Sequence, residues 1–138
     1  MGLWSALFGS DAAKRAAILQ EIDLTKAVEA HIHWKLRLQS YVDGKSSEQF
    51  DPKVIGRDDQ CDLGKWINGA GDNHFHDVPA FSELRADHAH FHAVAGNVVK
   101  EMQAKNKAGA DALLKGEYAR ISHKVVAELT DLNKAATE

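Results

Sequence analysis

The sequence predicts an all-α fold: an antiparallel four-helix bundle of three long helices and one short, cysteine-bearing helix. Long stretches free of glycine and proline carry apolar residues at the helical period of about 3.6 residues. No segment alternates with period two for long enough to make a strand, and no internal repeat is visible. At 138 residues, 44% hydrophobic and 27% charged, the chain has room for one domain with a core of its own.

The opening residues 1–10 are apolar and are set apart as a possible docking element carrying Trp4, Leu7 and Phe8. They lack a basic leader, their apolar run is too short for a signal sequence, and Ala6 stands where a myristoylation signal needs Ser or Thr. The bundle domain proper is assigned to residues 11–138. From Asp11 to Tyr41 there is neither Gly nor Pro, and Ile18, Ile22, Val28, Trp34, Leu38 and Tyr41 mark one amphipathic helix. Asp43-Gly44 ends it, and the stretch to Asp59, with Pro52 and Gly56 and little periodicity, reads as a loop.

A short helix follows from about Asp59 to Asn68, with an acidic residue as its N-cap and Gly69 as its stop. A second loop then runs from Gly69 to Pro79, which suits the first turn of the next helix. Phe81, Leu84, His88, Phe91, His92, Ala95, Val98 and Met102 form that helix's apolar face. Gly109 and Gly116 interrupt the pattern, with a helical turn possible at 110–114. The last helix carries Tyr118, Ile121, Val125, Leu129 and Leu132 on one stripe.

Helical phase sorts six of the eight histidines. His31 lies within the stripe of Val28 and Leu38, while His33 is about 200° away and faces out. His88 follows Leu84 by four residues and His92 follows by another four, so both face inward; His90 and His123 do not. His74 and His76, in the glycine-rich loop, are read as surface residues. Burying His31, His88 and His92 without partners would cost several kcal/mol, about as much as any other stranded polar groups. A shared metal ion is the simplest explanation for all three, a hydrogen-bonded core histidine being the alternative for any single one, and His88/His92 at i, i+4 offer two imidazoles from adjacent turns.

The single cysteine, Cys61, cannot close an intramolecular disulfide, which fits a reducing, cytoplasmic setting. It opens the short helix, where a helix N-terminus lowers a thiol's pKa and a metal lowers it further. Net charge is -3 with the two signs interleaved, so nothing draws the chain to nucleic acid or an acidic membrane.

At these residues the sequence resembles the chemoreceptor zinc-binding domain family. His31-Ile-His-Trp34-Lys, Cys61-Asp-Leu-Gly-Lys-Trp66 and His88-Ala-His-Phe91-His92 are similar to its three signature blocks, in the family's order. The resemblance runs from about Ile22 to Leu132. It implies a four-helix bundle, usually dimeric, holding one Zn2+ per chain, with His31, Cys61, His88 and His92 in the ligand positions. It further implies a sensory role beside bacterial chemoreceptors or diguanylate cyclases, with zinc occupancy or cysteine oxidation as input. The sequence carries no receptor coiled coil, membrane span or cyclase domain, so such a partner is expected to act in trans.

One thiolate and three neutral imidazoles suit tetrahedral Zn2+. Four protein ligands leave no position for a reacting water, so no enzyme activity is expected. The complex retains a formal +1, and Asp59, Asp62 and Asp87 are near enough in sequence to orient the histidines. A purely structural zinc site in an adaptor bundle is the main alternative. A di-iron bundle would need a Glu-x-x-His pattern that Glu29 and Glu83 do not make. A phosphotransfer bundle would need one reactive surface histidine, and nothing singles out His33, His90 or His123.

Overall fold

Why the helices fall where they do is set by caps, glycines and one buried face per element. The computed structural model describes residues 17–18, 24–59 and 61–137, and no strand occurs among them. The apolar residues 1–10 and the expected helix start at Asp11 lie outside the described residues.

Helix α1, Leu24–Val42, turns Leu38 and Val42 into the core. It ends as expected at Gly44, which takes a left-handed φ of 71° while the Lys45 N–H reaches back to the Ser40 carbonyl at 2.9 Å. The following stretch is not all loop. A short helix α2, Pro52–Ile55, has Pro52 in its first turn and Asp51 as N-cap, accepting from the Lys53 N–H at 2.9 Å. Four residues are too few to show a period, which is why the sequence reads as loop there.

Helix α3, Asp62–Trp66, is capped by Cys61 itself and not by an acidic residue: its Sγ accepts from the Gly64 N–H at 3.2 Å. Gly69 does not stop the helix. Its backbone (φ -115°, ψ -108°) kinks a π-type turn, Ile67–Gly71, and the chain continues as α4, Asp72–Phe75. The expected loop shrinks to a few residues because Trp66, Ile67 and Phe75 are all buried, the Trp66 ring lying 6.0 Å from Phe75 and 6.1 Å from Phe81. Burial of three large side chains outweighs the low helix propensity of two glycines. The Trp66 indole N–H also donates to the Ile18 carbonyl at 3.0 Å, tying the N-terminal part of the chain to this element.

Helix α5, Pro79–Gln103, is the central element and buries Val94, Gly96 and Val99 in addition to its expected face, of which Met102 stays half-buried. It packs against α2, against α6, Lys107–Leu113, and against α7, Ala119–Thr137. A π-type turn, Leu114–Tyr118, joins α6 to α7, so the region of Gly109 and Gly116 is helical throughout. Tyr118, Ile121, Val125, Leu129 and Leu132 are buried as their spacing predicts.

Glu128 of α7 is the one buried acid among the described residues, at 6% exposed, and its oxygens meet no amide, hydroxyl or ammonium donor. Its neighbour is Asp87 of α5. Burial, then the shared hydrogen bond and the Asp87 charge, push the Glu128 carboxyl up to about 8, so at neutral pH it donates its proton to Asp87. That hydrogen bond, with help from Lys124 at 3.1 Å, holds Asp87 below the usual range. A carboxyl raised in the folded state stabilises fully below its unfolded pKa, and that stability is lost as pH rises through about 8. Wild-type stability is therefore expected to fall between about pH 5 and 9 by up to a few kcal/mol. Glu128→Gln, which keeps a donor but cannot ionise, removes that slope; equal slopes in denaturant titrations of the two proteins would refute the assignment.

Candidate metal centre

Close backbone approach brings the site together. A Cβ on Gly96 of α5 would sit 3.1 Å from the Pro52 carbonyl oxygen and 3.3 Å from the Gly56 Cα, so any larger residue would push α2 outward by a few tenths of an ångström. At the present spacing the Ile55 carbonyl accepts the Nδ1–H of His92 at 3.0 Å. With Nδ1 protonated, the His92 Nε2 presents a lone pair to the interior.

Three donors converge there. The Nε2 atoms of His88 and His92 are 3.2 Å apart, and the Cys61 Sγ lies 3.3 Å from the first and 3.5 Å from the second. A tetrahedral ion with bonds of about 2.0–2.1 Å to nitrogen and about 2.3 Å to sulfur requires edges of about 3.3–3.6 Å between such donors. The observed triangle fits a zinc ion with almost no movement. The buried Nδ1 of His88 meets no acceptor, so the N–H it would carry with Nε2 on a metal lacks the orienting carbonyl that His92 has.

His31 stands beside this triangle and not in it. It is buried at 8% exposed, its ring is 4.7 Å from Phe91 and 6.5 Å from His88, and its Nδ1–H donates to the Ala27 carbonyl at 2.7 Å. The Cys61, His88 and His92 donors all lie within 4.8 Å of one another, a circle His31 does not join. His33, His90 and His123 are exposed as phase predicts, and His90 pairs with Glu117 at 2.7 Å. His74 and His76 are exposed too, although His74 belongs to α4.

The electrostatics favour ligand forms of the imidazoles. Burial lowers all three: His88 to about 3, with the His92 and His31 charges adding to it. For His31 and His92 burial again dominates, opposed by their carbonyl hydrogen bonds. Three neutral imidazoles at neutral pH are what a metal needs. The thiol runs against expectation: burial raises the Cys61 pKa despite the Gly64 N–H at its sulfur. A short capped helix does not compensate for desolvation, and it takes a bound cation to hold the thiolate.

The groups that orient the histidines also differ from the expected carboxylates. They are the carbonyls of Ala27 and Ile55; Asp59 is bound by Arg57, Asp87 by Lys124 and Glu128, and no carboxylate oxygen joins the donor cluster. Backbone acceptors leave no trace in side-chain spacing, so only coordinates identify them.

These elements define an all-helical domain with a Cys/His/His cluster, its histidines buried and its cysteine half-buried, that could hold a metal ion. Residues 31–99, half of the chain, match the family model described as the Chemoreceptor zinc-binding domain. The chain belongs to that family, a family of zinc-binding signalling domains. Comparison with curated proteins and with solved structures finds no match. No helix among the described residues is long and apolar enough to cross a membrane.

Proposed function

We propose that this chain is a cytoplasmic zinc-dependent sensory or regulatory domain of bacterial signalling, related to chemotaxis or cyclic-di-GMP control. One Zn2+ per chain is held by Cys61, His88 and His92, with His31 as the fourth ligand. The observation that carries the reading is the donor triangle of 3.2, 3.3 and 3.5 Å, already spaced for a tetrahedral ion. With its positions filled by protein, the ion has no reacting water, and the domain is not an enzyme.

The ligands come from α1, the start of α3, and α5, so the ion ties a five-residue helix and a long helix to the central one. Loss of Zn2+, or oxidation of Cys61 by a peroxide that transfers oxygen to the sulfur, releases α3 from the four-helix bundle. A chemoreceptor or diguanylate cyclase reads the released state. Ile32 and Leu36, one turn apart on α1 and 56% and 61% exposed, supply an apolar face for homodimer pairing.

The test is hydrogen exchange over residues 61–69 with zinc, with chelator and with hydrogen peroxide, on protein whose dimeric state is checked by sedimentation. Protection there is expected to fall selectively in the last two conditions. Unchanged protection overturns the switch. Loss of protection throughout the chain on chelation supports the alternative, a structural zinc site in an adaptor bundle.

A further inference from the structure

A cleft of about 860 Å3 separates α1 from α2 and the start of α3, a size typical of small-molecule sites. Cys61 and His92 line it from one side and His31 from the other, whereas His88 is the inner donor. A metal held by Cys61, His88 and His92 is therefore approached from the cleft.

His31 differs from the other two imidazoles in how it is held. His88 and His92 rise from successive turns of the central helix, with their Nε2 atoms in mutual contact. His31 comes from the far wall of the cleft and is anchored by one carbonyl hydrogen bond, and neither of its nitrogens joins the donor triangle. It is the ligand that can leave without disturbing the others.

Charge and lining select what replaces it. Zn2+ with one thiolate and neutral imidazoles keeps a net +1, and no carboxylate oxygen stands within the donor cluster to cancel it. An anionic fourth ligand cancels that charge; an imidazole does not. Charged groups of both signs, Lys26 and Arg57 with Asp51 and Asp62, also line the cleft, but Ala27, Ala30, Trp34, Phe50 and Leu63 make much of the wall apolar, which penalises a strongly hydrated oxyanion. A thiolate is the anionic donor that zinc accepts most readily and that is least costly to dehydrate here.

We propose that the fourth coordination position of this centre is exchangeable, His31 giving way to the thiolate of a small thiol admitted through the cleft between α1 and α3. In the exchange the zinc–nitrogen bond to His31 breaks, a zinc–sulfur bond forms, and the thiol proton passes to solvent; nothing is oxidised. The organic part of the thiol rests against the apolar wall that Ala27, Ala30, Trp34 and Leu63 give the cleft. Release of His31 removes the link between α1 and the metal centre, so the same centre responds to a thiol as well as to metal supply. This inference rests on the zinc reading above.

The test loads the full chain with Co2+, a spectroscopic stand-in for zinc, and titrates it anaerobically with 2-mercaptoethanol. The sulfur-to-cobalt absorption band is expected to roughly double at saturation as one thiolate becomes two. The visible bands should stay those of a tetrahedral ion, with cobalt retained on gel filtration. His31→Ala should reach the same endpoint at about tenfold less thiol, and Ala30→Trp, which fills the cleft, should need at least about tenfold more. A loaded protein whose spectrum ignores the thiol, or one from which the thiol strips cobalt, overturns the exchange and leaves the zinc site standing. A chain that takes up no cobalt overturns both.

Discussion

Replacing Cys61 with Ser or His88 with Ala is expected to weaken zinc retention by at least about a hundredfold, because loss of an orienting group alone costs 10–100-fold and these residues are the ligands themselves. The native chain should carry one zinc, measured by metal analysis and by competition with a chromophoric chelator. His33→Ala, His90→Ala and His123→Ala should retain zinc like the native chain, since all three side chains face solvent. His31→Ala should fall between the two groups, because the triangle of Cys61, His88 and His92 survives and water can take the remaining position. Equal retention across all these variants would falsify the assignment.

Stability without metal should move in the opposite direction at one of these positions. His88 is buried with its Nδ1 unpartnered, a cost of about 1–3 kcal/mol to the metal-free fold. His88→Leu therefore abolishes zinc binding and yet leaves the metal-free protein as stable or about 1 kcal/mol more so. A residue conserving packing alone would do the reverse, which makes denaturant midpoints with and without chelator the decisive pair of measurements.

The inward histidines were legible because a helix has a fixed period: His31 follows Val28 by three residues, His88 follows Leu84 by four and His92 follows His88 by four, whereas His33 and His123 lie about 200° from His31 and Ile121 and His90 about 200° from His88. The long helices and the stripe from Tyr118 to Leu132 follow from the same rule. What escaped the sequence is whatever lacks a period or depends on distant packing. Helix α2 is one turn long, and the helical path through Gly69 and Gly71 is imposed by Trp66, Phe75 and Phe81, residues that meet only in the folded chain. The carbonyls that fix the imidazoles of His31 and His92 belong to Ala27 and Ile55, whose side chains say nothing of that role. The raised thiol pKa has the same origin: sequence marks a helix start at Cys61 but not the depth of its burial.

Gly64→Ala is expected to be the most disruptive single-methyl change near the site, although it touches no ligand. A Cβ at this position would fall 1.7 Å from the Asp58 carbonyl oxygen, 2.7 Å from the carbonyl carbon and 3.2 Å from the Asp59 Cα. These are backbone atoms, so no side chain can rotate aside, and either α3 or the turn before it must shift by more than about 1 Å to restore ordinary contact. The Gly64 N–H is also the donor that holds the Cys61 Sγ at 3.2 Å. Any such shift carries the sulfur out of the 3.3 and 3.5 Å contacts it makes with the two imidazoles. Stability is expected to drop by roughly 3 kcal/mol, the range for overpacking against rigid neighbours, and zinc retention to fall at least about tenfold with all four proposed ligands still present. Gly116→Ala is the matched control: a Cβ there meets nothing within 4 Å, and the helix should gain about 0.5–1 kcal/mol. If Gly64→Ala bound zinc as tightly as Gly116→Ala, the close packing of Gly64 against Asp58 could not be what sets the cysteine in place, and the site would have to be assembled by the metal alone.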